Sequence, residues 1–126
     1  MINGIFLYTA AALTALWGVA HLLPTRSVVR GFGELSLDNQ RIITMEWILE
    51  GVALILIGVL VAIVTAVDAT SMVARSVYMI SASGLLAFAM VSLFTGFRVK
   101  FLPFRLCPFI FTASAVLILF GGFVRW

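Results

Sequence analysis

Charge is what this chain has least of. Asp, Glu, Lys and Arg make up 10% of its 126 residues, where soluble domains carry about a quarter. So little charge cannot clothe a water-facing surface, and a soluble fold is excluded. Cysteine is limited to Cys107, which excludes an intrachain disulfide and a CxxC redox motif. The one histidine, His21, leaves axial haem ligation short of a second imidazole within the chain. The net charge of +3 is small and scattered, so nucleic acid is not an expected partner; membrane orientation accounts for it better. The N-terminal run MINGIFLYTAAALTALWGVAHLL lacks the basic start of a signal peptide and is long enough to span. It reads as a retained helix.

What is present is hydrocarbon. Apolar residues make up 63% of the chain and its mean hydropathy is +1.22. Four apolar segments stand out, at about 2–23, 41–67, 72–97 and 104–123. Pro24 stops the first, and Pro103 and Pro108 lead into the fourth. Each is long enough to cross a hydrocarbon core of about 30 Å. Nothing alternates like a barrel strand, so the backbone must satisfy itself as helix. The expected fold is all-α: a polytopic membrane protein, residues 1–126 forming one bundle of four transmembrane helices. The second helix can start early, because Ser36, Asp38 and Asn39 are good N-cap residues.

Basic residues set the expected orientation. Arg26, Arg30 and Arg41 lie in or beside the first loop, and Arg98, Lys100 and Arg105 in or beside the third; the other side has Arg75 and Arg125. That bias puts loops one and three in the cytoplasm and both termini outside. Loop one, PTRSVVRGFGELSLDNQ, mixes Val28, Val29, Phe32, Leu35 and Leu37 with Arg30 and Glu34. It suits an amphipathic connector lying at the interface, bent at Gly31 and Gly33, and a lid over the bundle end is the alternative.

Two carboxylates break the hydrocarbon of the second segment. Glu46 and Glu50 stand one helical turn apart in IITMEWILEGVALILIGVL, about 6 Å along the axis. Acids that persist in membrane spans usually face a bundle interior or a cavity and take part in function. His21, near the end of the first segment, approaches them from the neighbouring helix. Small residues mark the helix faces that pack. These are Ala11, Thr14, Gly18 and His21 on the first helix, and Gly51, Gly58, Ala62 and Thr65 on the second. The third offers Ser81, Gly84 and Thr95, and the fourth Thr112, Ser114, Ala115, Gly121 and Gly122. The phenylalanines at 94, 97, 101, 104, 109 and 111 read as lipid-facing.

The cluster therefore consists of Glu50, Glu46 and His21 as proton-handling groups. Two neighbouring carboxylates in low dielectric resist double ionisation, and His21 exchanges protons in the same range. Trp17, Trp47, Gly51 and Arg41 are the expected ligand-binding residues around it. A static ion pair between Glu46 and Arg26, Arg41 or Arg105 is the plainer alternative, as is interface anchoring for Trp47 and Trp126. No metal is expected, since the paired Glu-x-x-His motifs of di-iron bundles are missing. Among cofactors, a quinone suits the cluster better than haem or a metal. Met45, Met72, Met79 and Met90 and the lone Cys107 read as packing residues.

Five of these positions carry a family pattern. Gly18 and His21 form a Gly-x-x-His near the end of the first helix, and Glu50, Gly51 and Gly58 form a Glu followed by glycine-containing apolar sequence. In this the first half of the chain resembles the DoxX-like small four-helix membrane proteins. The resemblance implies a four-helix bundle and a link to quinone-coupled or redox assemblies. Glu46 and the long basic loop are not part of that pattern. Several functions fit the cluster. The leading one is binding of an apolar small molecule, quinone or lipid, with transfer of its proton. Others are proton-coupled transport by a homodimer, acid–base isomerisation of a lipid or sterol, and service as a subunit of a larger membrane complex.

Overall fold

A computed structural model describes residues 2–124, the side chain of Ile2 excepted. Arg125 and Trp126, which entered the orientation and anchoring arguments, lie outside the described residues. Helix α1 spans Ile2–Leu22, and a short α2 spans Thr25–Gly31. Helix α3 runs Leu37–Asp68, α4 Met72–Phe94 and α5 Leu102–Phe123, with a 3₁₀ turn at Gly96–Arg98 before the last. Four of these helices are long and apolar enough to cross a membrane. The protein is an all-α, membrane-embedded four-helix bundle.

The boundaries follow from local chemistry. The Ser36 hydroxyl accepts from the Asn39 N–H at 3.3 Å, so α3 begins well before residue 41. Its 32 residues extend about 48 Å, more than a bilayer core needs, and the polar first turns project beyond the bundle. Ser71 caps α4 through the Ala74 N–H at 3.1 Å. Thr95 closes α4 earlier than residue 97, leaving the 3₁₀ turn to carry Phe97. Pro108 lies inside α5, not at its entrance. It has no N–H to offer the carbonyl one turn back.

Consecutive long helices run antiparallel, and α1 also packs along α5, so α1 is flanked by α3 and α5 and α4 closes the ring between them. The tightest seam is α1 against α3. A Cβ on Gly58 would stand 2.5 Å from the Ala11 carbonyl oxygen, and one on Gly18 would stand 2.7 Å from that of Gly51. Glycine at these points lets the backbones touch, as membrane helices require without a hydrophobic driving force. The core along the bundle axis comprises Leu7, Leu54, Tyr78, Leu85, Phe111 and Ile118, all essentially inaccessible. Inside it, Tyr78 Oη lies 2.9 Å from Thr65 Oγ1, which itself donates to the Val61 carbonyl at 2.6 Å.

The expected packing faces hold for α1 and α3 and for Ser81, Ser114, Ala115 and Gly121 on the other two helices, where three further positions need correction. Ala11, Thr14, Gly18 and His21 are buried, as are Gly51, Gly58 and Thr65. Thr95 and Thr112, by contrast, are exposed, and nothing lies within 4 Å of a Cβ built on Gly84. Both threonines satisfy their hydroxyls on their own helix, at the Val91 and Pro108 carbonyls, and so need no inward partner. Phe111 is buried in the core instead of facing lipid. Its ring meets Phe88 edge-on at 6.0 Å.

Candidate functional site

The loop-rich end of the bundle assembles the polar cluster. Four helical carbonyls at the C-terminus of α1 lack intrahelical partners by construction. The His21 carbonyl accepts from Trp47 Nε1 at 2.7 Å, and the Leu22 carbonyl from Thr25 Oγ1 at 2.6 Å. The indole of Trp47 thus ties α3 to the end of α1. It also stacks on the His21 imidazole, with centroids 3.8 Å apart and planes 17° from parallel. Phe104 meets the other side of this pair, 5.3 Å from the Trp47 ring and edge-on. Trp47 is buried by these contacts and is not an interface anchor.

His21 is held between helices with its side chain only 6% exposed, and its Nε2 lies 3.2 Å from Glu50 Oε2. Off the N–H axis, that contact leaves Nε2 without an aligned hydrogen bond. Glu50 is 38% exposed on its other side. It faces an apolar groove of about 700 Å³ between α3, α4 and the start of α5, lined also by Glu46, Ala53, Phe88, Ser92 and Phe104. Such a volume is in the range of pockets that hold drug-sized ligands. Beside the groove, His21, Trp17, Trp47, Phe101, Phe104 and Cys107 line a second, narrower pocket of about 170 Å³ that is partly open to the surface. Phe104 and Cys107 form part of both walls. Glu50 therefore bridges from the outer groove to the buried imidazole. A heavy-atom separation of 3.2 Å lies within the reach that proton transfer requires.

The other anticipated residues divide. Glu46 lines the groove beside Glu50 but is itself exposed. Among the described residues it has no ion-pair partner, so the static pairing with Arg26, Arg41 or Arg105 is not formed. Arg105 instead lies over the Phe97 ring, 5.2 Å from its centroid. Arg41 is exposed on the projecting turns of α3 and lines neither the groove nor the inner cavity. Gly51 also lines neither. A Cβ there would meet the Leu22 side chain at 2.6 Å, so its place is the helix seam. Trp17 does line the inner cavity. No three of the His, Cys, Asp and Glu side chains converge on a common point among the described residues.

Some site residues carried no legible signal. Phe104 reads as one more phenylalanine in an apolar run, yet it separates the groove from the inner cavity. Phe32, at the end of α2, reaches the groove from loop one. Gly33 follows it with φ +78°, a left-handed turn that glycine adopts freely. Val29 of α2 is buried against α3, so loop one is docked on the bundle while Arg26, Ser27 and Arg30 face outward. Compared with models of protein families, with curated proteins and with solved structures, the chain matches none.

Proposed function

We propose that this protein binds an apolar small molecule, of the quinone or lipid class, in the groove between α3, α4 and α5. Glu50 and His21 take up or deliver the proton of its polar head, and Glu46 keeps the groove mouth acidic. The observation that carries this reading is the Glu50–His21 contact at 3.2 Å, which joins an open apolar groove to a smaller apolar pocket. An apolar pocket with a few convergent polar groups is the usual form of a small-molecule site. The DoxX-like pattern in the first half of the chain supports the same reading through its implied tie to quinone-coupled or redox assemblies. Transport by a homodimer fits less well. Beyond the site the interior is filled by Leu54, Tyr78, Leu85, Phe111 and Ile118, which favours binding at one end over passage through the bundle.

Native mass spectrometry of gently extracted protein tests the proposal. Wild type is expected to carry a co-purifying apolar molecule that the equally folded Glu50→Gln protein lacks. Equal occupancy in the two proteins would remove it.

We further propose that the site end faces the cytoplasm. Six basic residues, Arg26, Arg30, Arg41, Arg98, Lys100 and Arg105, cluster at that end, the bias that orients membrane proteins. The buried Cys107 is protected from reagent, so introduced cysteines report cleanly. In intact cells a membrane-impermeant maleimide is expected to label Thr70→Cys and spare Ser27→Cys. The reverse pattern would invert the topology.

A further inference from the structure

Depth along α3 shows what the outer groove opens onto. Asp68 ends α3 in the polar turn at 68–71, where the Thr70 N–H and hydroxyl both donate to its carboxylate, at 2.9 and 2.8 Å. That turn marks one face of the bilayer. At 1.5 Å per residue, Glu50 lies about 27 Å back along α3 from Asp68, and Glu46 about 33 Å. A hydrocarbon core is about 30 Å thick, so its far boundary falls between the two carboxylates. Glu50 stands at the edge of the hydrocarbon and Glu46 among the headgroups. The groove runs past both, from Thr95 and Val99 at its outer end to Ala53 and Phe88. Its rim is apolar. Leu49 of α3 and Val91 of α4 line it and are 54% and 64% exposed. Each lies about 29 Å along its helix from the turn that joins the two. No charged residue stands between Arg75 and Arg98 on α4. The long side of the groove therefore faces acyl chains.

The lining also selects the charge of what enters. Glu46 and Glu50 line the groove, and no Lys, Arg or His does. Ser92 and Thr95 spend their hydroxyl hydrogens on the Phe88 and Val91 carbonyls, each at 2.7 Å. An anionic head would bring like charge into low dielectric with no cation to meet it. Resting on the groove-binding function proposed above, we infer that the groove is a side entrance from one leaflet. Its occupant is an amphiphile dissolved in the bilayer, with an uncharged or cationic head. The head stops at Glu50 and Glu46, and the tail leaves between Leu49 and Val91 into lipid. Anionic phospholipids of the surrounding leaflet are excluded as occupants, and the ligand needs no route through water.

Two measurements on the full chain in lipid nanodiscs test this. A nitroxide is attached at Ser92→Cys, inside the groove, with Leu49→Cys as the second position should the first fail to fold. Its collisions with oxygen, which dissolves in hydrocarbon, and with a water-soluble nickel chelate are counted. The references are Met79→Cys, at an exposed position within the α4 span, and Ser27→Cys in α2. The groove label is expected to follow Met79 and not Ser27. Nickel access equal to that at Ser27 overturns the side entrance and leaves ligand binding in the groove standing. Protein labelled with ¹³C-glutamate gives side-chain carboxyl signals from Glu34, Glu46 and Glu50 alone. It is titrated with hexadecanol and with hexadecyl phosphate, one tail under two heads. The alcohol is expected to shift Glu50 and Glu46 and to spare Glu34, which lies outside the groove. The phosphate is expected to move neither beyond its effect on Glu34. A phosphate that shifts Glu50 as far as the alcohol does overturns the charge selection. If neither probe shifts Glu50 beyond Glu34, the assigned class of occupant falls, and the co-purification result alone then decides the groove reading.

Discussion

Replacing Gly58 by leucine is expected to leave little folded protein after extraction in mild detergent. A Cβ at this position would stand 2.5 Å from the Ala11 carbonyl oxygen and 2.8 Å from both Ala15 N and Ala15 Cβ. Two of those three atoms belong to backbone and cannot rotate away. Relief must come from separating α1 and α3 along the tightest seam in the bundle. Overpacking a well-filled interior by single methylenes typically costs about 1–3 kcal/mol, and occasionally more. Leucine adds four carbons, and the same separation would also open Gly18 and Gly51 a few turns away. Even Gly58→Ala is expected to lower the melting temperature measurably. Gly84→Ala is the control, since nothing lies within 4 Å of the added carbon. There, the gain of about 0.5–1 kcal/mol from alanine in a helix interior should appear alone, raising stability or leaving it unchanged. Thermal unfolding followed by size-exclusion chromatography reads out all three. A Gly58→Leu protein as stable as wild type would show that the seam is not as close as described.

A thermodynamic cycle on the site is expected to show strong coupling between His21 and Glu50. Each of His21→Gln and Glu50→Gln should weaken binding of a tailed quinone by about ten- to a hundredfold, since hydrogen bonds to charged groups contribute about 1.5–3 kcal/mol. The double variant should bind little worse than the poorer single one. The 3.2 Å contact puts the two groups within reach of each other's proton, so on the proposed reading removing either disables both. Residues in direct contact commonly show interaction energies of about 0.5–3 kcal/mol, whereas independent sites add. Binding isotherms for the four proteins in nanodiscs measure the coupling directly. Strictly additive losses would mean that His21 and Glu50 touch the ligand separately, and the relay between groove and cavity would be abandoned. Glu46→Gln is expected to matter less, because Glu46 is exposed and, unlike Glu50, forms no ion pair with His21.

Helix existence and membrane character were legible because they depend on composition and length alone. A run of twenty apolar residues has one stable form in hydrocarbon, whatever its neighbours do. The polar cluster was legible for a related reason. An acid or an imidazole is so costly in a span that its presence points inward, and His21 and Glu50 do meet, whereas Glu46 lies exposed at the groove mouth. The stripe of small residues on α1 and α3 was equally readable, since close backbone approach needs glycine or alanine and the spacing of three and four repeats over several turns. On α4 and α5 the same rule found Ser81, Ser114, Ala115 and Gly121, which are buried, but misplaced Thr95, Thr112 and Gly84. Thr95 and Thr112 bond to their own helices, and the largest contact residues there, Tyr78, Leu85, Phe111 and Ile118, look the same whether they face lipid or protein.

By itself, then, the sequence determined an all-α bundle with a His/Glu cluster at one end, because helix formation in lipid and the cost of a buried charge are local properties of residue type. The tertiary structure alone decided how that cluster is enclosed. It separated Gly51 and Arg41 from the site, turned Trp47 onto the His21 ring, and set Phe104 in the walls of both groove and pocket. Each depends on which faces of two helices meet and at what rotation. In a span apolar on all sides, that rotation is fixed by steric fit between helices and has no counterpart in the hydrophobic pattern.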